Sequence, residues 1–265
     1  MPRALLEGKV VVVVGGSSGL GLSAVQACAG AGASVVAVNP PEPTPPSPES
    51  SARVRIWIGD ARDAETARQA IRHAVAEFGR FDALYHVAGG SGRAFGDGPL
   101  HQLSDSAWQE TLRLNLTSLF HSNRAAAEQF LAQSTGGSVL NMASVLARSP
   151  SAGFFDTHAY AAAKAAILGL TTSAAAYYAP HGIRFNALLP GLTDTPMSAR
   201  AMGDPRIQEF IRKKQPLDGG RAGRPSDLDA AVVFLLSDDS RFVTGQALAV
   251  DGGWSVSDGG ARNAP

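Results

Sequence analysis

Val10-Val11-Val12-Val13-Val14-Gly15-Gly16-Ser17-Ser18-Gly19-Leu20-Gly21-Leu22 is the stretch that decides the fold. Five consecutive valines, β-branched and uninterrupted by a polar residue, predict a strand buried on both faces, as inside a parallel sheet. The glycines that follow stop it. From Leu22 to Ala31 the apolar spacing becomes helical, Gly32 closes the helix, and Ser34 to Val38 is a second short apolar run. The segment therefore predicts one βαβ unit. At its strand-to-helix turn, free backbone amides and the positive end of the helix dipole face whatever sits there, and phosphate is the natural guest.

Outward from this unit the alternation continues. Strands are expected at Val54 to Ile58, Ala83 to Val87, Ser138 to Asn141, Ile183 to Leu189 and Gln246 to Val250. Helices are expected at Ala64 to Phe78, Asp105 to Ala132, His158 to Tyr178 and Asp227 to Leu236, the last begun by the cap-like Ser226. About seven parallel strands with helices on both faces make a doubly wound α/β sheet. One crossover departs from the rhythm: Pro40 to Pro48 holds six prolines in nine positions, which forbids a regular helix and predicts an extended loop. Gly89 to Pro99 and Gly191 to Pro205 read as irregular, and both follow strand C-termini, where open α/β sheets bind ligands.

Composition narrows the class of partner. The 265 residues carry 23 basic and 23 acidic side chains and are 45% apolar, which suits a globular chain and lacks the basic footprint of a nucleic-acid or membrane-surface binder. A small-molecule partner is expected instead. The lone Cys28 cannot form an internal disulfide, no Cys/His cluster has metal-ligand spacing, and no run is long enough to span a bilayer. With no signal-peptide pattern at Met1 to Lys9, the chain reads as cytoplasmic and metal-free.

The glycine loop admits three readings. A Walker A loop needs Lys-Ser/Thr after its second glycine, and here Leu22-Ser23 follows Gly21. Gly15-Gly16-Ser17-Ser18-Gly19 matches the nucleophile elbow of α/β-hydrolases, with Ser17 as nucleophile, but too little chain precedes it to build the other half of an oxyanion hole. The remaining pattern, Gly15-x3-Gly19-x-Gly21, is a dinucleotide-binding loop with a widened first spacing. Downstream, Tyr160 and Lys164 stand four apart on an expected helix, hence on one face. An ammonium beside a phenol favours the phenolate and lowers a pKa that is otherwise near 10.

With these pieces in order, the chain resembles the short-chain dehydrogenase/reductase family over nearly its whole length. The matching residues are Gly15-x3-Gly19-x-Gly21, Asp60, Ala88-Gly89, Asn115, Asn141-Met142-Ala143-Ser144, Tyr160-x3-Lys164, Asn186, Pro190-Gly191, Thr244-Gly245-Gln246 and Asp251-Gly252-Gly253. The resemblance implies one Rossmann-type domain over residues 1–265 that passes hydride between a nicotinamide ring and an alcohol or carbonyl carbon. It implies that Tyr160 is the general acid/base and that Lys164 lowers its pKa and holds the nicotinamide ribose. Ser144 would then hydrogen-bond the substrate oxygen, and Asn115 would hold a water in the proton relay. Taken alone, Ser144 reads as a loop cap and Asn115 as a helix residue bonding to backbone. The same carry-over gives Ser17, Ser18, Leu20 and Ala61 to the cofactor with the loop glycines, Asp60 to the adenine amino group, and Thr193 and Thr195 to the carboxamide and phosphates.

Several positions depart from the family pattern. Val14 stands where a threonine is usual, His86-Val87 replaces Asn-Asn, and the spacing from Ser144 to Tyr160 is about three residues long. His158, two residues before Tyr160, reads as a helix-start histidine or pocket wall rather than a second acid. Cofactor choice rests on Asn39 at the end of the second strand, which neither repels a 2′-phosphate as an acid would nor welcomes it as an arginine would. Because Ser18 is not basic, the reading tips to NAD and leaves NADP open. A substrate lid is expected around 191–220, with Met197, Met202, Phe210 and Ile211 as its apolar side chains. The resemblance also implies a homotetramer. A protein that senses nicotinamide nucleotides without turnover is the alternative from another class.

Overall fold

The computed structural model describes residues 4–42 and 49–260. The strands are β1 (Val10–Val14), β2 (Ser34–Asn39), β3 (Val54–Ile58), β4 (Ala83–His86), β5 (Gly137–Met142), β6 (Ile183–Pro190) and β7 (Ala247–Val250). They form one sheet in the order β3-β2-β1-β4-β5-β6-β7, with every neighbouring pair parallel. All five valines of β1 are buried, as expected of a strand flanked on both edges and covered on both faces. Successive side chains point to opposite faces, so Val11 and Val13 join one core and Val10, Val12 and Val14 the other.

Eight helices are described: α1 (Gly19–Gly30), α2 (Ala64–Phe78), α3 (Asp105–Leu112), α4 (Ser118–Gln133), α5 (His158–Tyr178), α6 (Ala199–Met202), α7 (Pro205–Lys214) and α8 (Asp229–Leu236). Ala24, Val25 and Cys28 of α1 meet Val232, Leu235 and Leu236 of α8 over the Val11 face. There Cys28 is an inert thiol, its pKa pushed up to about 12 by burial. Ala70 and Ile71 of α2, Phe130 of α4 and Ala175 of α5 cover the Val12 face. A third cluster, holding Leu119, Ile167, Ile207, Ile211 and Trp254, lies beyond β5 and β6.

Four expectations change in detail. Helix α1 begins at Gly19 rather than Leu22, because the glycines themselves wind its first turn. The long helix from Asp105 is interrupted by a π turn at Arg113–Thr117, a widening that often marks functional sites. Ser226 is no cap: it lies inside a 3-10 turn, Pro225–Leu228, where Asp227 accepts from the Arg224 amide at 2.7 Å. Residues after Thr195 are more regular than expected, forming the 3-10 turn Pro196–Ser198, then α6 and α7. Of the proline-rich crossover, residues 43–48 lie outside the described residues.

Polar side chains stitch the helices to the sheet. Asn141 on β5 exchanges hydrogen bonds with Asn123 on α4 (2.8 and 3.0 Å) and donates to Thr171 on α5. The departure at His86 finds its purpose here, since its Nδ1 pairs with Ser122 Oγ at 2.7 Å and burial pulls its pKa down to about 3, keeping it neutral. Gln215 closes the segment beyond β6 by bonding both sides of Leu192: its Oε1 accepts from the Leu192 amide and its Nε2 donates to the Leu192 carbonyl at 3.2 Å.

Phe130 stacks on Phe81 with ring centroids 4.6 Å apart, and its ring fills the space a side chain at position 137 would need. Phe130→Ala is expected to cost about 3–5 kcal/mol of stability, read as a lower midpoint at unchanged slope in urea unfolding.

Candidate active site

The strand order reverses between β1 and β4, and there the C-terminal strand ends open into a cleft of about 820 Å³. Loops after β2 and β3 wall one end with Pro40, Pro41, Asp60, Ala61 and Arg62; loops after β5 and β6 wall the other with Ser144, Pro190, Gly191 and Leu192. Between them lies the glycine loop. Gly15 has φ +96°, and a Cβ on it would stand 2.6 Å from the Ala88 nitrogen; a Cβ on Gly21 would stand 1.9 Å from the Gly15 carbonyl oxygen. The chain can turn this tightly only without side chains. Ser18, the N-cap of α1, makes no side-chain cap hydrogen bond, so the first amides of the helix face the cleft. A dinucleotide fits this surface: a side-chain-free cradle at a helix N-terminus for the pyrophosphate, and at the adenosine end the buried Asn39 Oδ1, which has no hydrogen-bond partner among the described residues.

Tyr160 and Lys164 rise from the first turns of α5, with Lys164 Nζ 5.5 Å from the centre of the Tyr160 ring. Lys164 is buried, donates to the Met142 carbonyl at 2.9 Å, and is pulled down to about 7 by loss of solvent. Burial raises the Tyr160 phenol above its ordinary value, with the Ser144 hydroxyl pulling the other way. The lowering expected from Lys164 is not part of that balance, in which burial outweighs the Ser144 hydrogen bond. The long Ser144-to-Tyr160 spacing does not separate the pair. Its extra residues turn outward at Gly153 (φ +90°), whose amide donates to Asp156, while Ser144 caps a short turn by accepting from the Leu146 amide.

Asn115 sits in the π turn, fully buried. Its Nδ2 donates to the carbonyls of Gly90 (2.9 Å) and Thr111 (3.0 Å), and its Oδ1 accepts from the Gly90 amide. A Cβ on Gly89 would lie 2.7 Å from Asn115 Oδ1 and 3.5 Å from Lys164 Nζ. The bare glycine is what lets these groups approach. Ser17, Ser18, Gly19, Leu20, Ala88, Thr193 and Thr195 all line the cleft. Asn115 and Asn39 do not; each is buried just behind its wall. His158 also stays outside, with its Nδ1 3.0 Å from the Gly98 carbonyl, and no histidine among the described residues lines the cleft, leaving Ser17 without the base a hydrolase requires.

Sequence reasoning missed Asp97. This buried carboxylate, on the loop after β4, accepts from the amides of Ala159 (3.0 Å) and Tyr160 (2.8 Å), doing for α5 what its own N-cap Thr157 does not. No local spacing reveals it, because it lies some sixty residues from the helix it caps. It also missed Arg62, which pairs with Asp60 at 2.6 Å, and Arg93 and Arg200 at the other end. The expected lid side chains divide: Met197 lines the cleft, whereas Ile211 is buried and Phe210 packs on Phe154, Phe155 and Trp254.

Two measurements follow from this geometry. Asp97→Ala leaves two amides unpaired and is expected to cost roughly 1–3 kcal/mol in urea unfolding. Lys164 keeps its proton to 10.5 when solvated but only to about 7 when folded, so between these values the folded chain binds fewer protons and stability rises with pH. Lys164→Met is therefore expected to exceed the parent in stability most at or below pH 7, with the advantage shrinking toward pH 10.

The sequence model of a family described as enoyl-(acyl carrier protein) reductase matches residues 14–255. The chain is 34% identical over 260 residues to cis-4-hydroxycyclohexanecarboxylate dehydrogenase of Sinomonas cyclohexanicum, covering 97% of this chain and 100% of the relative. It is 36% identical over 252 residues to 2-dehydro-3-deoxy-D-gluconate 5-dehydrogenase of Escherichia coli (strain K12), covering 94% and 96%. In structure it resembles the NADPH-dependent 3-quinuclidinone reductase of Rhodotorula rubra with a TM-score of 0.85 at 31% identity, over 96% of this chain and 94% of that one. Matched from end to end in both sequence and fold, the chain belongs to the short-chain dehydrogenase/reductase family and is an NAD(P)-dependent oxidoreductase that interconverts alcohols and ketones.

Proposed function

We propose that Tyr160 is the acid/base of this oxidoreductase, acting on small hydroxylated compounds or their ketones. The observation that carries the reading is the meeting of the Tyr160 and Ser144 hydroxyls on one wall of the cleft with Lys164 buried behind them. The nicotinamide, when bound, supplies or accepts the hydride. As a ketone is reduced, negative charge grows on its oxygen; the Tyr160 phenol, protonated at neutral pH, gives that oxygen its proton, and Ser144 donates a hydrogen bond to it. In the reverse direction the phenolate takes the alcohol proton. With the cofactor bound, Lys164 would hold the nicotinamide ribose, and it re-supplies Tyr160 with a proton. Asn115 Oδ1, with one lone pair left after the Gly90 amide, would hold the relay water between Lys164 and solvent.

The proposed cofactor is NAD. At the adenosine end Arg62 is committed to Asp60, and Asn39 offers no cation, so a 2′-phosphate finds no free positive partner among the described residues. The segment 191–220 acts as the lid, with Met197 toward the substrate. The assembly is a homotetramer: exposed apolar side chains sit on α4 and α5 (Phe120, Leu131, Tyr177) and around the β7 edge (Phe234, Phe242, Leu248). No helix among the described residues is long and apolar enough to cross a membrane, and the proposed location is the cytoplasm.

Parallel titration with NADH and NADPH is expected to show tighter binding of NADH, and absorbance at the reduced-nicotinamide band to show oxidation by a ketone. Tyr160→Phe is expected to lose about 10²–10⁴ in turnover while its NADH affinity changes little. Failure of both nucleotides to bind, or full turnover by Tyr160→Phe, overturns the reading.

A further inference from the structure

Three separate segments converge at the substrate end of the cleft. Arg93 comes from the loop after β4, Arg200 from α6, and Phe154 from the loop between Ser144 and Tyr160. Arg93 Nη2 donates to the Phe154 carbonyl at 3.2 Å, and Arg200 Nη2 donates to the same oxygen at 3.0 Å. Both guanidiniums line the cleft. Both side chains are exposed, and beyond the one carbonyl oxygen they share, each guanidinium keeps four donors open to solvent or to a ligand. Neither forms an ion pair among the described residues. The acids near Arg93 attract it only at a distance, Asp97 being bonded to the amides of α5 and Asp156 to the Gly153 amide. Arg62, at the other end of the same cleft, shows the contrast, since Asp60 neutralises it.

We propose that Arg93 and Arg200 together bind a carboxylate on the substrate, so that the enzyme acts on hydroxy and oxo acids. The inference rests on the reading of Tyr160 and Ser144 as the reacting end of the same cleft. The same cleft is also lined by the apolar Phe155, Leu192, Met197 and Trp254, which fits a hydrocarbon body on the substrate. A carboxylate matches a guanidinium fork through two parallel hydrogen bonds. It would also relieve the mutual repulsion that, after burial, holds Arg93 below its ordinary pKa.

The test compares 4-oxopentanoate and 5-oxohexanoate with their methyl esters, using the parent enzyme and the Arg93→Gln/Arg200→Gln double variant. The parent is expected to favour acid over ester in kcat/KM by roughly ten- to a hundredfold, the range of one charge-assisted hydrogen bond, and the double variant to bring that ratio close to one. Hexanoate binding to the protein–NADH complex, followed calorimetrically, reads the same site without turnover and is expected to weaken at least about tenfold in the double variant. Equal use of acid and ester, an acid preference that survives the double substitution, or a fall in NADH affinity instead of acid affinity overturns the proposal. Ester turnover that depends on Tyr160 but shows no acid preference removes this inference alone, whereas absence of NADH binding removes the reading beneath it as well.

Discussion

Position 21 has no room for a side chain: a Cβ there would sit 1.9 Å from the Gly15 carbonyl oxygen. That contact lets α1 start directly over the end of β1, so the first amides of the helix open onto the sheet edge where strand order reverses. Almost everything about the cleft depends on it. The five valines of β1 bring the turn to the middle of the sheet, and β4 arrives so close that Gly15 stands against Ala88. At the glycines themselves the turn offers only backbone, which suits it to a phosphate bridge rather than to one particular side-chain partner.

The opposite wall is organised around one costly group. Lys164 is an amine buried among packed side chains, anchored by a single carbonyl at 2.9 Å. Burying an ammonium is unfavourable unless something compensates, and the protein's response is to bring its pKa near neutrality rather than to supply a counter-ion. Around it the surroundings are rigid. Asn115 clasps Gly90, Asp97 fixes the start of α5, and Gly89 leaves the gap through which these groups come together. The stability given up at Lys164 is offset by the buried Phe and Val layers that extend over both faces of the sheet.

The fold was largely legible in the sequence because its signals were local. A run of β-branched residues, a glycine turn and an apolar helix repeated through the chain are each readable within a dozen residues, and the bounds of α2 and α5 follow from them directly. The pairing of Tyr160 with Lys164 was legible through spacing, since the two share one helix face, whereas Ser144 and Asn115 entered only through the family resemblance. What escaped were contacts made across distance in the chain. Asp97 caps a helix sixty residues away, Arg93 and Arg200 meet only at the Phe154 carbonyl, and Arg62 finds Asp60 because a turn folds it back. The π turn was invisible for a different reason: the helical period on either side of it is ordinary, and only the geometry shows one turn too wide.

Gln215 has a consequence of another kind. By holding both the amide and the carbonyl of Leu192, one side chain ties together the two ends of the stretch from 192 to 215. The entropy of closing that loop is therefore spent once, when the protein folds, and not again at each excursion of the residues between. Any displacement of α6 and α7 would then be a rotation about a chord of constant length, and β6 with its pairing register would stay outside it.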